Sequence, residues 1–253
     1  MIKLVNVGVS FGAKTVLEDI NLDIAKGESM VIIGPSGSGK STLLRLIVGL
    51  LKPSTGQIFI DDQDITGMAE EELNKIRLRM GMVFQYSALF DSMSVGENVA
   101  FGLRQHTVMD EEAIARVVRK KLRMVGLSGQ EEVMPNELSG GMKKRVSLAR
   151  AIAIDPEMVL YDEPTAGLDP IMANTIDRLI ISTKRIMGVT SVVVTHHMNS
   201  AFKIADRIAM IYDGRIVEVG SADQIKNSDN EIVQRFIKGI KITSRIDAQR
   251  RSD

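Results

Sequence analysis

Eight residues confine this chain to a narrow set of folds, because Gly34-Pro35-Ser36-Gly37-Ser38-Gly39-Lys40-Ser41 matches G-x-x-x-x-G-K-[ST] without a gap. The apolar run Met30-Val31-Ile32-Ile33 precedes it and a helical pattern follows, so the loop joins a buried strand to a helix. Glycines let the backbone curl until successive N–H groups converge on an anion, and a helix starting near Ser41 adds the positive end of its dipole. Lys40 then supplies a point charge for the outer phosphates of a nucleotide. The Ser41 hydroxyl is placed for Mg2+, which bridges phosphate oxygens while keeping several waters.

The rest of the chain reads as strands and helices around that loop. Val5, Val7, Val9 and Phe11 alternate with Leu4, Asn6, Gly8 and Ser10, and Ile20, Leu22 and Ile24 alternate with Asn21 and Asp23. Both patterns predict half-exposed antiparallel strands, which Gln57-Ile58-Phe59-Ile60 joins. Met30-Val31-Ile32-Ile33, Met158-Val159-Leu160-Tyr161 and Val192-Val193-Val194 are short continuous apolar runs, the pattern of parallel strands covered on both faces. Asp213-Gly214 between two strand-like runs predicts a tight hairpin. Residues 86–150 read mostly as helix and loop, with a charged, solvated helix over residues 110–125. Ile232, Phe236 and Ile237 predict one short amphipathic helix near the C-terminus.

Two adjacent carboxylates, Asp162-Glu163, close the run that starts at Met158. Side chains alternate faces along a strand, so neighbouring acids at its end can take different tasks. Asp162 suits Mg2+ or one of its waters. Glu163 suits a base or an orienter of attacking water, since phosphoryl transfer depends on positioning and charge stabilisation. His196 also follows a buried run, with His197 beside it, and the residues alone leave the two open. Upstream, Ser139-Gly140-Gly141 forms a second candidate anion nest before a helix whose buried face is marked by Met142, Val146, Ala149 and Ala153. An ordinary helix cap would use the same letters.

Composition narrows the partners. The 32 Lys+Arg balance 32 Asp+Glu, so no global charge argues for nucleic acid or an anionic membrane surface. The absence of cysteine excludes disulfides and fits the cytoplasm. No segment approaches the roughly 18 apolar residues that span a bilayer, so any membrane crossing is expected from a partner. With 253 residues, of which 44% are hydrophobic, a sizeable core is available to one large domain or two small ones.

Taken together, these residues resemble the nucleotide-binding subunit of an ATP-binding-cassette (ABC) transporter over residues 1 to about 225. The resemblance implies an α/β P-loop NTPase with a RecA-like parallel-sheet core, an N-terminal antiparallel β subdomain and an inserted α-helical subdomain at about 86–150. Residues 1–225 are then one ATP-binding domain, followed by a C-terminal helix and tail at 226–253. Phe11 falls where the family stacks an aromatic ring on adenine, with Val16 a further nucleotide contact. Gly34 through Ser41, with Thr42, is the Walker A loop, and Gln85 is the Q-loop glutamine, a contributor to hydrolysis and a Mg2+ ligand alongside Ser41 and Asp162. Leu138-Ser139-Gly140-Gly141-Met142 is the signature, Asp162-Glu163 closes Walker B, Asp169 of the D-loop joins the nucleotide contacts, and His196 rather than His197 is the switch histidine. Met142 in place of the commoner glutamine, and His197 in place of aspartate, are the visible departures. The implied assembly is a homodimer in which each signature caps the ATP of the other copy.

A finer resemblance follows from Phe84-Gln85-Tyr86-Ser87-Ala88-Leu89-Phe90, Asn98-Val99-Ala100, Leu103-Arg104-Gln105-His106-Thr107 and Met134-Pro135-Asn136-Glu137. These residues, with Met142, are similar to the ATPases of maintenance-of-lipid-asymmetry (Mla) systems. That branch implies phospholipid transport through integral membrane permease subunits, a substrate-binding protein of the Mce type, and a peripheral position on the cytoplasmic face of the inner membrane. The alternative is an importer of a small solute. A soluble ABC protein of repair or translation is disfavoured by the single cassette without an inserted coiled coil, and a nonhydrolytic module by the presence of Glu163 and His196.

Overall fold

β1 (Ile2–Phe11) and β2 (Lys14–Ile24) pair antiparallel in the computed structural model, which describes residues 1–240. The described residues divide into two units by their contacts. The first holds residues 1–24, 30–67 and those from 195 onward, and in it β4 (Thr55–Ile60) and β5 (Gln63–Asp64) complete an antiparallel sheet of order β2-β1-β4-β5. The alternation along β1 changes phase partway. Ile2 and Leu4 are buried, then Val7 and Val9, because Asn6 adopts φ 51° and the pairing with β2 slips between Leu4 and Val7. Asn tolerates this left-handed conformation better than most residues, and the bulge reverses which face each later side chain takes. Asn21 ties the bulge to a second one in β2: its Oδ1 accepts from the Asn6 N–H at 2.9 Å, and its Nδ2 donates to Asp19, itself at φ 53°.

The same unit contains β3 (Ser29–Ile33), buried at every position and paired in parallel with β9 (Arg207–Tyr212). β9 turns back into β10 (Arg215–Ser221) through Asp213-Gly214, whose φ values of 48° and 74° are those of the predicted tight hairpin. That hairpin tip closes on β2. A Cβ on Gly214 would lie 2.7 Å from the Val16 carbonyl oxygen, the Glu18 N–H donates to the Gly214 carbonyl at 2.8 Å, and Arg215 meets Glu18 at 2.5 Å. α1 (Lys40–Ile47) follows the glycine loop, with Leu43, Leu44, Leu46 and Ile47 buried. The C-terminal helix is α9 (Glu231–Ile237), which buries Val233 and leaves Ile232, Phe236 and Ile237 half-buried. The expected tail beyond residue 240 lies outside the described residues.

The second unit holds residues 25–29 and 68–194. Its strands β6 (Met80–Val83), β7 (Met158–Asp162) and β8 (Thr190–Val194) are parallel, with β7 between the other two. Three helices occupy the stretch between β6 and β7: α3 (Val95–His106), α4 (Glu111–Met124) and α5 (Gly140–Ala151). A capping box of Ser94 and Glu97 starts α3, and Asp110 caps α4 through the Ala113 N–H. Charged α4 buries Ile114, Val118 and Leu122 on one stripe, as its pattern predicts, together with the stem of Lys121, whose ammonium reaches Asp155 at 2.5 Å.

α5 departs from expectation. Its sequence pattern marks a single face, yet Gly141, Lys144, Val146, Ser147, Leu148, Ala149 and Ala151 are all buried, while Met142 is only half-buried and Ala153 lies past the helix end. The reason is that α3, α4, β6 and α6 (Pro170–Met187) all pack around it. β6 approaches backbone to backbone: a Cβ on Gly81 would fall 2.3 Å from the Ala151 carbonyl oxygen. Gly81→Ala is expected to destabilise the protein by about 1–3 kcal/mol through overpacking, measured as a lower denaturation midpoint; an unchanged midpoint would show that α5 yields easily.

Candidate active site

The glycine loop is built for an anion by its backbone. Gly34, Gly37 and Gly39 have φ of 151°, 81° and 100°, conformations that disfavour any side chain. At two of them space forbids one as well. A Cβ on Gly34 would lie 2.1 Å from the Ile211 carbonyl oxygen, and one on Gly39 2.5 Å from Leu17 Cδ2. Lys40 Nζ donates to the Gly34 and Pro35 carbonyls at 2.8 and 2.9 Å, so its charge is held over the loop. The buried Ser38 Oγ has no hydrogen-bond partner among the described residues, a cost that a phosphate oxygen would remove. Ser36 and Gly37 stay exposed at the rim, while Pro35, Ser41 and Thr42 are half-buried, the last two on the first turn of α1.

Of the other nucleotide candidates of the first unit, Val16 lies against this loop. The Val16 carbonyl oxygen would lie 3.1 Å from a Gly39 Cβ, so β2 runs against the loop's C-terminal half. Phe11, at the end of β1, is 53% exposed, which leaves a ring face available for stacking. His196 and His197 are both exposed, their ring centroids 4.2 Å apart. They differ in backbone role: His197 occupies the cap position of α7 (Met198–Ile204), and its N–H donates to Thr195 Oγ1 at 3.0 Å. His196 is the residue directly past the buried end of the Val194-Thr195 run.

The acidic end belongs to the second unit. Asp162 is the last residue of β7, and Glu163 leaves the strand at φ 46°, anchored by its N–H to the Val194 carbonyl at 2.9 Å. A non-glycine residue in this region stores strain of order 1–3 kcal/mol and is found where function requires a set direction. Glu163 is 8% exposed. Gln85 lies two residues past the end of β6, the strand next to β7, so Gln85 and Asp162 stand at the same edge of the parallel strands.

Sequence reasoning missed two cations here. Lys144 and Arg150 of α5 are not among the residues singled out from the sequence, yet the Lys144 ammonium is buried and donates to the Gln85 carbonyl in a short hydrogen bond. Burial lowers its pKa from the ordinary lysine value, and the Glu163 and Asp162 carboxylates oppose the drop. Arg150 donates to the Ala88 and Ser87 carbonyls at 2.7 and 3.0 Å and lies 5.6 Å from the Phe90 ring centre. The available signal was the stripe Gly141, Lys144, Leu148 and Ala151, spaced i, i+3, i+7, i+10 on one side of the helix.

The second anion candidate takes the form of a helix N-terminus. Ser139 caps α5, accepting from the Met142 N–H at 3.3 Å, and Gly140 and Gly141 form the first turn. Gly141 has a packing role in addition: a Cβ there would lie 2.1 Å from Met172 Cε on α6. Asp169 caps α6 through Oδ1, which accepts from Ile171 and Met172 N–H at 2.9 and 3.0 Å. For Mg2+, the Ser41 hydroxyl, Gln85 amide and Asp162 carboxylate offer only oxygen donors, as this hard cation prefers. Among the described residues no group of three His, Cys, Asp or Glu could hold a metal alone.

Comparison with known proteins agrees with this geometry. The ABC transporter family model matches residues 17–166. The chain is 42% identical to the intermembrane phospholipid transport system ATP-binding protein MlaF of Haemophilus influenzae, covering 94% of this chain and 90% of that one. It is also 42% identical to the probable ribonucleotide transport ATP-binding protein mkl of Mycobacterium leprae, over 92% of this chain but 67% of that longer relative. Among solved structures, a dimeric ATP-binding cassette in a post-hydrolysis state with ADP and Pi is similar at TM-score 0.80 and 36% identity, covering 88% of this chain and 99% of that one.

Because Lys40 makes its hydrogen bonds within the loop, its loss should spare the fold and strike the ligand. Lys40→Ala is expected to keep a near-normal unfolding midpoint while ATP affinity, by calorimetric titration, falls about tenfold or more, the scale of a lost charge-assisted contact. Unchanged affinity would remove Lys40 from the phosphate site.

Proposed function

The chain belongs to the ABC transporter family, as an ATP-hydrolysing subunit, and from that premise we propose that it energises phospholipid transport across a cell envelope through a partner permease. The observation that carries this reading is similarity to a phospholipid-transport cassette along nearly the whole of both chains. The branch residues around Gln85 and the signature's Met142 support it. A solute importer is the second reading, favoured by the relative named for ribonucleotide transport.

The proposed assembly has two copies of this chain, each lending the α5 N-terminus at Ser139 to the nucleotide held by the other copy's glycine loop. The dimeric neighbour with ADP and Pi supports it. Among the described residues no helix is long and apolar enough to cross a membrane, so the permease supplies the span. Its docking place is the groove of about 710 Å3 in the second unit, lined by Leu78, Met82, Phe84, Phe90, Phe101 and Arg150 among others. Phe84, Phe90 and Leu78 are 39%, 40% and 40% exposed, an apolar cluster of the kind that marks a partner site. An Mce-type protein completes the proposed complex, at the cytoplasmic face of the inner membrane.

In the proposed reaction, Ser38, Lys40 and the loop N–H groups hold the phosphates, and the ring of Phe11 with Val16 holds the base. Ser41, Gln85 and Asp162 would hold Mg2+, which when bound neutralises developing charge on the phosphates. Glu163 orients water or takes its proton, with His196 beside the transferred phosphate. Closure around ATP and reopening after hydrolysis gate the permease.

Two variants separate these roles. Glu163→Gln should retain ATP, lose about a hundredfold or more of its turnover as a general base is removed, and accumulate a dimer by size-exclusion chromatography; normal turnover would sink the assignment. Phe11→Ala should raise the KM for ATP with kcat at saturation nearly unchanged, as expected where ring stacking contributes binding alone. A large fall in kcat at unchanged KM would contradict it. Turnover of the permease complex stimulated by phospholipid, and not by a water-soluble solute, distinguishes the two transport readings.

A further inference from the structure

Three of the four main-chain carbonyls at residues 85–88 accept hydrogen bonds from cations of one helix. Lys144 takes the Gln85 carbonyl, and Arg150 takes those of Ser87 and Ala88. Ser87 and Ala88 both sit in the left-handed region, at φ 62° and 48°, conformations that persist only when neighbours hold them. Both donors belong to α5, the helix that Ser139 caps. Arg150 and Ala88 also line the groove assigned to the permease, and Arg150 lies over Phe90, which packs on Phe101 at 4.8 Å between ring centres.

We propose that Lys144 and Arg150 are positioning residues for hydrolysis, clamping the segment at 85–88 to the helix headed by the signature so that the two move as one piece beside Asp162 and Glu163. Charge-assisted hydrogen bonds are roughly twice as strong as neutral ones, and Lys144 is buried while Arg150 is half-buried, so the joint is stiff. It recognises main-chain oxygens, so it holds the segment whatever the side chain at 85 is doing. A shift of the groove segment is thereby delivered to Ser139, where the other copy's nucleotide is proposed to sit, and to the carboxylates whose field Lys144 feels. The gain is a link between groove and chemistry made of two side chains. It rests on the ATPase reading of this site, and the experiment below keeps the two apart.

The test uses the full chain in its permease complex, with kcat and KM for ATP, thermal unfolding, and permease retention measured for Lys144→Met, Lys144→Arg, Lys144→Gln and Arg150→Met. The clamp predicts that Lys144→Met and Arg150→Met each lower kcat about tenfold while KM stays within about twofold, because positioning and not ground-state binding is lost. It also predicts that Lys144→Arg, which keeps a charged donor, restores kcat to within about threefold of wild type. Lys144→Gln, closer to wild type in polarity, should lie between Met and Arg and guards against a variant that fails to fold. Permease retention should be unchanged in the three Lys144 variants. Wild-type kcat in both Met variants would overturn the clamp. So would a loss confined to Lys144→Met, which would reduce Lys144 to a local charge effect on the acids, or a loss seen in KM alone. Absence of ATP turnover in the wild-type complex would overturn the ATPase reading and the clamp with it.

Discussion

β3, β7 and β8 are buried along nearly their whole length, so their main-chain groups are spent on neighbouring strands and charged side chains are expelled to the C-terminal ends. Each functional group follows from that expulsion. The glycine loop begins where Ile33 ends, Asp162 is the last residue of its strand with Glu163 turning away, and His196 comes two residues after Val194. Ligand sites of open α/β sheets lie past the carboxyl ends of strands for the same reason.

Beyond the strand ends, close backbone approach does the remaining shaping. Gly34 and Gly39 admit no side chain because Ile211 and Leu17 already fill the space, and Gly81 lets α5 rest directly on β6. Burial then decides where cations point. Lys40, Lys121 and Lys144 are each at most 7% exposed, and each directs its ammonium to a carbonyl or carboxylate, since a buried charge without a partner is costly. α5 is constrained from several sides in the second unit. It is packed by α3, α4, α6 and β6, capped by Ser139, and tied through two side chains to the segment after β6.

Much of this was legible in the sequence where a local pattern reports a local structure. The glycine loop, the buried parallel strands, the Asp213-Gly214 hairpin and charged α4 all obey their own periodicity or turn chemistry. What escaped depends on contacts from outside the element. The phase change in β1 hangs on Asn6 adopting a positive φ and on Asn21 in the next strand accepting its N–H. The burial of Lys144 hangs on four neighbours closing around α5, and a lysine letter carries no sign of it. Gly141 read as part of an anion nest, whereas the structure gives it a second task against Met172.

The account stands on ATP hydrolysis at these strand ends driving phospholipid movement by a partner. The most direct measurement reconstitutes the chain with its copurifying membrane subunits in vesicles containing fluorescent phospholipid and follows transfer to an acceptor. The account predicts transfer that requires hydrolysable ATP and stops with a nonhydrolysable analogue. Lipid transfer indifferent to ATP, or ATP-driven accumulation of a water-soluble solute without lipid transfer, would contradict it.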